Sequence, residues 1–188
     1  MFSINYSKIR PIFIYYISAG EQVIKVIPQT LKQLIIFLKL HTRTYYQQLI
    51  DISAIDNYKS KLRFEVVYQL LSITYNQRLI ISVSISEGMP VNSITSIYSS
   101  ANWYEREVWD RFGIYFTSHP DLRRRLTDYG FKGHPLRKDF PLTGYIEVQY
   151  SDYHKRILYS PVFLIQEYRT FTFDSKLNFE LCPFRLEV

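Results

Sequence analysis

Several stretches of this 188-residue chain carry side chains able to do chemistry. Ser118, His119 and Asp121 offer a hydroxyl, an imidazole and a carboxylate. A nucleophile relay draws its members from separate segments so that each faces the next, and neighbours on one loop are too crowded for it. His119 and His134, each followed by proline, are with Asp121 and Asp139 the residue types that bind a divalent metal. They form no helical i, i+4 ligand pair and match no known spacing. The preferred reading is loop shaping, because proline restricts the residue before it. The stretch GFKGHP (130–135) lacks the Gly-Lys-Ser/Thr ending with which a glycine-rich loop holds phosphate.

Glu105 is a different case. Ile94, Ile97, Tyr98, Ala101, Val108, Trp109 and Phe112 fall on one stripe at 100° per residue, which predicts a helix capped by Ser93 and ended by Gly113. Glu105 lies in the middle of that stripe, about 20° from Ile94 and Phe112. A carboxylate so placed either carries a raised pKa or finds a cation, and Arg123, Arg124, Arg125 and Arg137 are the candidates. A structural ion pair is favoured over a catalytic acid. Trp103, Glu107 and Asp110 point the opposite way, and an outward Trp103 among charges resembles an interface anchor.

The elements that position these residues read as follows. QVIKVI (22–27) is a short strand; Pro28 stops it, and Leu31, Leu34, Ile35 and Leu38 repeat at helical spacing to about Leu40. QQLIDISAID (47–56) and RFEVVYQLLSI (63–73) are strands, the second apolar on both faces and hence central. NQR (76–78) turns into LIISVSISE (79–87), a strand with one core face, so the last two form a hairpin. Beyond Ile114 the pattern loosens, and ILYSPVFLI (157–165) is the one modest strand expected there. These readings give an α+β fold: a small mixed or antiparallel sheet with two main helices, then an extended irregular C-terminal arm. The boundaries expected are a tail over 1–20, retained uncleaved, an α+β domain over 21–116 and the arm over 117–188.

Composition narrows the function. The net charge is +6, and the window from Arg111 to Lys138 holds seven bases against Asp121 and Asp128. Such a patch attracts nucleic acid, anionic lipid or an acidic protein face. A basic organellar nucleic-acid-binding protein is therefore the alternative function, although DLRRRLTDYGF (121–131) builds no aromatic stacking platform and its acids interrupt the charge. One cysteine, Cys182, excludes an intrachain disulfide and a cluster held by this chain alone. No apolar run approaches the roughly 20 residues of a spanning helix. Three Ala against 22 Ile, with 17 Tyr and 13 Phe, is what AT-rich coding produces, and an organelle genome fits it.

Two long motifs then stand out: Glu105, Arg106, Glu107, Asp110, Phe112, Gly113 and Ile114 in ANWYEREVWDRFGI, and the run GHPLRKDFPL at 133–142. Together they closely resemble the 30-kilodalton subunit family of respiratory complex I, which includes the mitochondrial NADH dehydrogenase subunit 9 and its bacterial NADH-quinone oxidoreductase counterpart, with weaker similarity over about 50–172. The resemblance places the family signature and interface at Trp103, Glu105, Arg106, Glu107, Asp110, Gly113, Arg123 and Arg124, and at His134, Pro135, Arg137, Lys138, Asp139, Phe140 and Pro141. It implies a structural subunit of the proton-pumping NADH:ubiquinone oxidoreductase, with no catalytic residue, cofactor or metal of its own. The complex uses NADH, FMN, iron-sulfur clusters and ubiquinone. By the same resemblance the chain sits in the matrix-facing peripheral arm at the mitochondrial inner membrane, against the 49-kilodalton and cluster-bearing subunits, and touches the membrane only through the complex. In GHPLRKDFPLTGY, two glycines and two prolines preclude a core of its own. The segment is expected to lie along a neighbour, with Phe140 and Leu142 in apolar pockets and Arg137 and Lys138 on the neighbour's carboxylates. On that expectation Arg137→Ala lowers assembly and leaves the domain folded.

Overall fold

A computed structural model describes residues 12–171 apart from 19, 167 and 170. The chain divides into two units, Met1–Gly144 and Tyr145–Val188. In the first, β1 (Ile12–Ser18) and β2 (Glu21–Val26) form an antiparallel pair, and α1 (Leu31–Leu40) leads to β3 (Gln48–Asp56), β4 (Phe64–Ser72) and β5 (Gln77–Ile85). The sheet order is β1-β2-β5-β4-β3, antiparallel except where β2 runs parallel to β5. This is the mixed sheet with two helices that the hydrophobic patterns predict. Part of the stretch set apart as a tail, Ile12–Ser18, is the sheet's edge strand.

Alternation builds the core. Phe64, Val66, Tyr68 and Leu70 of β4 are directly opposite Ile85, Val83, Ile81 and Leu79 of β5, and all eight are buried. They meet Leu31, Leu34, Ile35 and Leu38 of α1 and the buried stripe of the second helix in one apolar cluster. On the second face of β4, Val67 and Leu71 are half-buried, so this strand is central but only one face is sealed.

The second helix, α2, spans Ala101–Phe112. It starts later than the stripe predicts: Ile94 to Ser100 form successive turns, with Ile97 N and Tyr98 N both bonded to Ile94 O. Ser93 does not cap it. Its hydroxyl turns to Glu105 instead, as described below. Two short parallel strands, β6 (Val91–Asn92) and β7 (Phe116–Thr117), bracket the helix. Gly113 ends it in the left-handed region at φ 74°, as expected.

The second unit contains a hairpin of β8 (Ile146–Ser151) and β9 (Arg156–Pro161). The apolar run at 157–165 identified β9, whereas β8, with Glu147 and Gln149 among its residues, lacked a contiguous apolar signal.

Candidate functional site

The polar residues of both motifs converge on α2. A helix ends with carbonyls that have no partner within the helix. Here the GHPLR segment supplies partners for three of them: His134 Nδ1 lies 3.0 Å from Asp110 O, Leu136 N donates to Arg111 O at 3.1 Å, and Arg137 Nε donates to Phe112 O at 2.6 Å. The Arg137 cation also sits where the helix dipole favours positive charge. The contact is so close that Gly113 is required: a Cβ there would lie 2.6 Å from the His134 ring and 2.7 Å from Arg137. Burial, opposed by the bond to Asp110 O, lowers the His134 pKa, so near neutral pH its Nδ1–H donates from an uncharged ring. A segment with no periodicity of its own is thus the C-terminal cap of α2.

This corrects the expectation for Arg137 and Phe140, whose side chains are engaged within the chain rather than on a neighbour. Arg137 pairs with the chain's own Glu87 at 2.7 Å, and Lys138 N–H donates to Asp56 at 2.9 Å. Phe140 packs against Phe131, with ring centroids 5.9 Å apart, and over Gly133, where a Cβ would come within 2.9 Å of its ring. Leu142, in contrast, is 79% exposed.

Asp110 is a second correction. Placed outward by the helical wheel, it is fully buried, because residues 124–127 fold over it. Its carboxylate accepts Arg124 Nη1 at 3.0 Å, the Thr127 hydroxyl at 2.7 Å, and the N–H groups of Arg125, Leu126 and Thr127 at 3.2, 2.7 and 2.9 Å. Burial alone would raise its pKa; these hydrogen bonds together outweigh it and bring the value down to about 2. Arg106 on the same helix, also buried, donates to Asp121 at 3.1 Å, which pairs in addition with the exposed Arg123.

A third cluster was missed in the sequence. Arg63, just before β4, donates bidentately to Asp56 at 2.9 and 3.0 Å, and also meets Glu87 at 3.2 Å and Asp139 at 3.1 Å. Glu87 therefore bridges Arg63 and Arg137. The Arg63 hydrogen bond is the main cause of a lowered Asp56 pKa, with burial opposing and Lys138 N–H assisting. No local spacing announces this group, because its members come from 56, 63, 87 and 137–139 and meet only in the fold.

Glu105 is fully buried, and no arginine among the described residues pairs with it. Ser93 Oγ donates to it at 2.6 Å and Ile94 N at 2.8 Å. His119 Nε2 is 3.9 Å away, beyond hydrogen-bond reach, and burial lowers the His119 pKa. Burial pushes the Glu105 pKa up to about 7 despite the two hydrogen bonds. Of the two fates open to this carboxylate, a raised pKa is the one realised. The ion pairs expected of it are formed by Asp110 and Arg106 instead. His119 and His134 stand on separate features of the fold, and the described residues contain no group of three or more His, Cys, Asp and Glu arranged to hold a metal.

Surface features remain. Trp103 is 53% exposed, as its position on the wheel predicts, with the guanidinium carbons of Arg106 and Arg125 5.4 and 5.0 Å from its ring. Glu107 pairs with Arg111 and Arg125 at 3.1 and 3.2 Å. Much of the basic window is therefore matched by the chain's own acids, and the nucleic-acid alternative finds no support. In the second unit, strand alternation puts Ile146, Val148 and Tyr150 on one face of the hairpin, paired with Pro161, Tyr159 and Ile157. All six are exposed.

The first unit is thus an α+β domain of mixed sheet whose second helix is locked by buried charge, and its fold has a solved counterpart. A chain of the membrane-bound sulfane sulfur reductase, an archaeal respiratory membrane complex, superposes with a TM-score of 0.62 over 73% of this chain and 81% of that one, at 21% identity. Residues 24–146 match the family described as respiratory-chain NADH dehydrogenase, 30 Kd subunit, and the chain belongs to that family. It is 51% identical over 158 residues to NADH-ubiquinone oxidoreductase subunit 9 of Reclinomonas americana, covering 84% of this chain and 78% of that protein. It is 51% identical over 162 residues to the protein of the same name from Prototheca wickerhamii, covering 86% and 84%. Against NADH dehydrogenase (ubiquinone) iron-sulfur protein 3 of Arabidopsis thaliana it is 57% identical over 143 residues, covering 76% and 75%.

Proposed function

We propose that this chain is a structural, non-catalytic subunit of a mitochondrial NADH:ubiquinone oxidoreductase, holding cluster-bearing and quinone-site neighbours in register in the matrix-side peripheral arm. The observation that carries this reading is that charged residues of both motifs are committed to internal locking: Arg106, Asp110, Arg137 and Asp139 are all paired within the chain. Charge used this way fixes a shape. The exposed apolar face of the β8–β9 hairpin supports the second half of the reading, because a lone two-stranded hairpin gains stability by covering such a face. Sequence relatives carrying respiratory subunit names from Reclinomonas americana and Prototheca wickerhamii support the mitochondrial setting, and the Ile-rich, Ala-poor composition supports an organelle-encoded gene.

On this reading the chain binds no cofactor, and the NADH, FMN, clusters and ubiquinone belong to its neighbours. The name "iron-sulfur protein 3" describes some relatives. The residues here do not fit a cluster of their own, since a cluster needs several thiolates and the sequence has one Cys. The test pairs Val148→Lys with Tyr159→Lys in the full chain. The double variant is expected to lose co-migration with the assembled enzyme on a native gel while its thermal melting is unchanged. Unchanged assembly refutes the docking role. An enzyme that assembles normally but turns over more slowly refutes the non-catalytic one.

A further inference from the structure

We infer that the cleft between the β3–β4 turn and residues 138–139 receives an acidic stretch of a neighbouring subunit, which rests on the reading of this chain as part of a larger enzyme. The cleft encloses about 740 Å³ and is lined by Asn57, Tyr58, Lys59, Ser60, Lys138 and Asp139. Its charges are unbalanced. Asp139 is held by Arg63 at 3.1 Å, and the nearby Asp56 and Glu87 are matched by Arg63 and Arg137. Lys59 and Lys138, one on each wall, are exposed, and among the described residues neither has a carboxylate within ion-pair distance.

Both ammonium groups are carried on fixed backbone. Lys138 N–H is bonded to the buried Asp56 at 2.9 Å, and the turn bearing Lys59 is closed by Ser60 N to Asn57 O at 2.9 Å. Tyr58, 64% exposed, rests against the Arg63 guanidinium at 5.2 Å and so presents a supported aromatic wall. Arg63, Arg137, Lys59 and Lys138 outnumber Asp56, Glu87 and Asp139 by one, so a carboxylate entering here balances the surplus charge without displacing an existing pair. A neutral or basic surface would cover the same cations and leave them unpaired, at a desolvation cost. A small free anion fits less well, because an exposed ion pair contributes only about 0–1 kcal/mol and needs other contacts to hold it in place. A polypeptide anchored elsewhere on the chain supplies those contacts.

Carbodiimide treatment of the assembled enzyme tests this, because it joins a lysine only to a carboxylate already in contact with it. Peptide mapping is expected to show Lys59 or Lys138 linked to Asp or Glu of another subunit. Those links should be lost in Lys59→Arg/Lys138→Arg, which keeps the charge and the assembly, and both lysines should resist acetylation in the intact enzyme. If both are freely acetylated there and form no intersubunit link, the inference fails alone. If they are shielded, unlinked and released by delipidation, the occupant is a lipid phosphate and the inference fails as well. A chain that never co-purifies with such an enzyme removes the subunit reading and this inference together.

Discussion

Asp110→Asn tests whether buried charge, rather than local propensity, holds residues 124–127 on α2. The wild-type carboxylate accepts five hydrogen bonds with no solvent exposure. The fall in its pKa from 3.8 to about 2 corresponds to roughly 2–3 kcal/mol of stability at neutral pH, since each unit is about 1.4 kcal/mol. The sign follows from the direction: a depressed folded pKa gives stability that is complete well above pH 3.8 and is lost as pH falls through 2. Asparagine keeps the volume but presents an N–H₂ toward N–H donors and strands some of them, at about 1–3 kcal/mol for each buried group left unmatched. The total is about 3–5 kcal/mol, or a fall in melting temperature of roughly 6–20 °C for a chain of this size. Urea unfolding of the full chain at pH 7 and at steps from pH 4 to pH 2 measures both parts. A cost below about 1 kcal/mol at pH 7 would refute the reasoning, as would an acid slope equal to that of wild type.

Two other substitutions probe the site. Glu105→Gln should act in the opposite pH direction: a folded pKa raised from 4.5 to about 7 means that stability is complete below pH 4.5 and declines as pH rises to 7, so the variant should gain roughly 1–3 kcal/mol over wild type at pH 8 and little at pH 5. Parallel urea midpoints at the two pH values check this, and equal differences at both would remove the buried-acid account. Arg137→Ala should destabilise the domain itself by about 1–3 kcal/mol, because it removes the cap on Phe112 O and the pair with Glu87. A thermal melt unchanged by this substitution would restore the view of residues 133–142 as a free arm.

What could be read in advance was whatever depends on near neighbours in sequence. The i, i+3, i+4, i+7 spacing of Leu31, Leu34, Ile35 and Leu38 gave α1, the alternation in 63–87 gave the β4–β5 hairpin, and Gly113 marked the end of α2. Glu105 was legible as a buried acid because its neighbours on the wheel are apolar. Asp110 was not, since the wheel shows which way a side chain points but not what folds over it: residues 124–127 carry no periodic signal and are ordered by the carboxylate they surround. Arg63 was invisible for a related reason. Its partners are scattered from 56 to 139, and no window along the chain brings them together.

The same logic explains why the motif residues are so polar. A segment interrupted by Gly133, Pro135 and Pro141 cannot dock through an apolar stripe, so its attachment uses directional bonds: three to the end of α2 and others to Asp56, Glu87 and Arg63. Such bonds fix register as well as affinity, because an Arg137 displaced by one residue would reach neither Phe112 O nor Glu87. A scaffold gains more from that than from extra buried apolar area. Hydrophobic contact is non-directional and tolerates slippage, whereas paired charges and caps are satisfied in one geometry. If the chain's task is to hold other subunits at set distances, its most polar stretches are where rigidity has to be built, and the exposed apolar hairpin can then be left for contact with a partner.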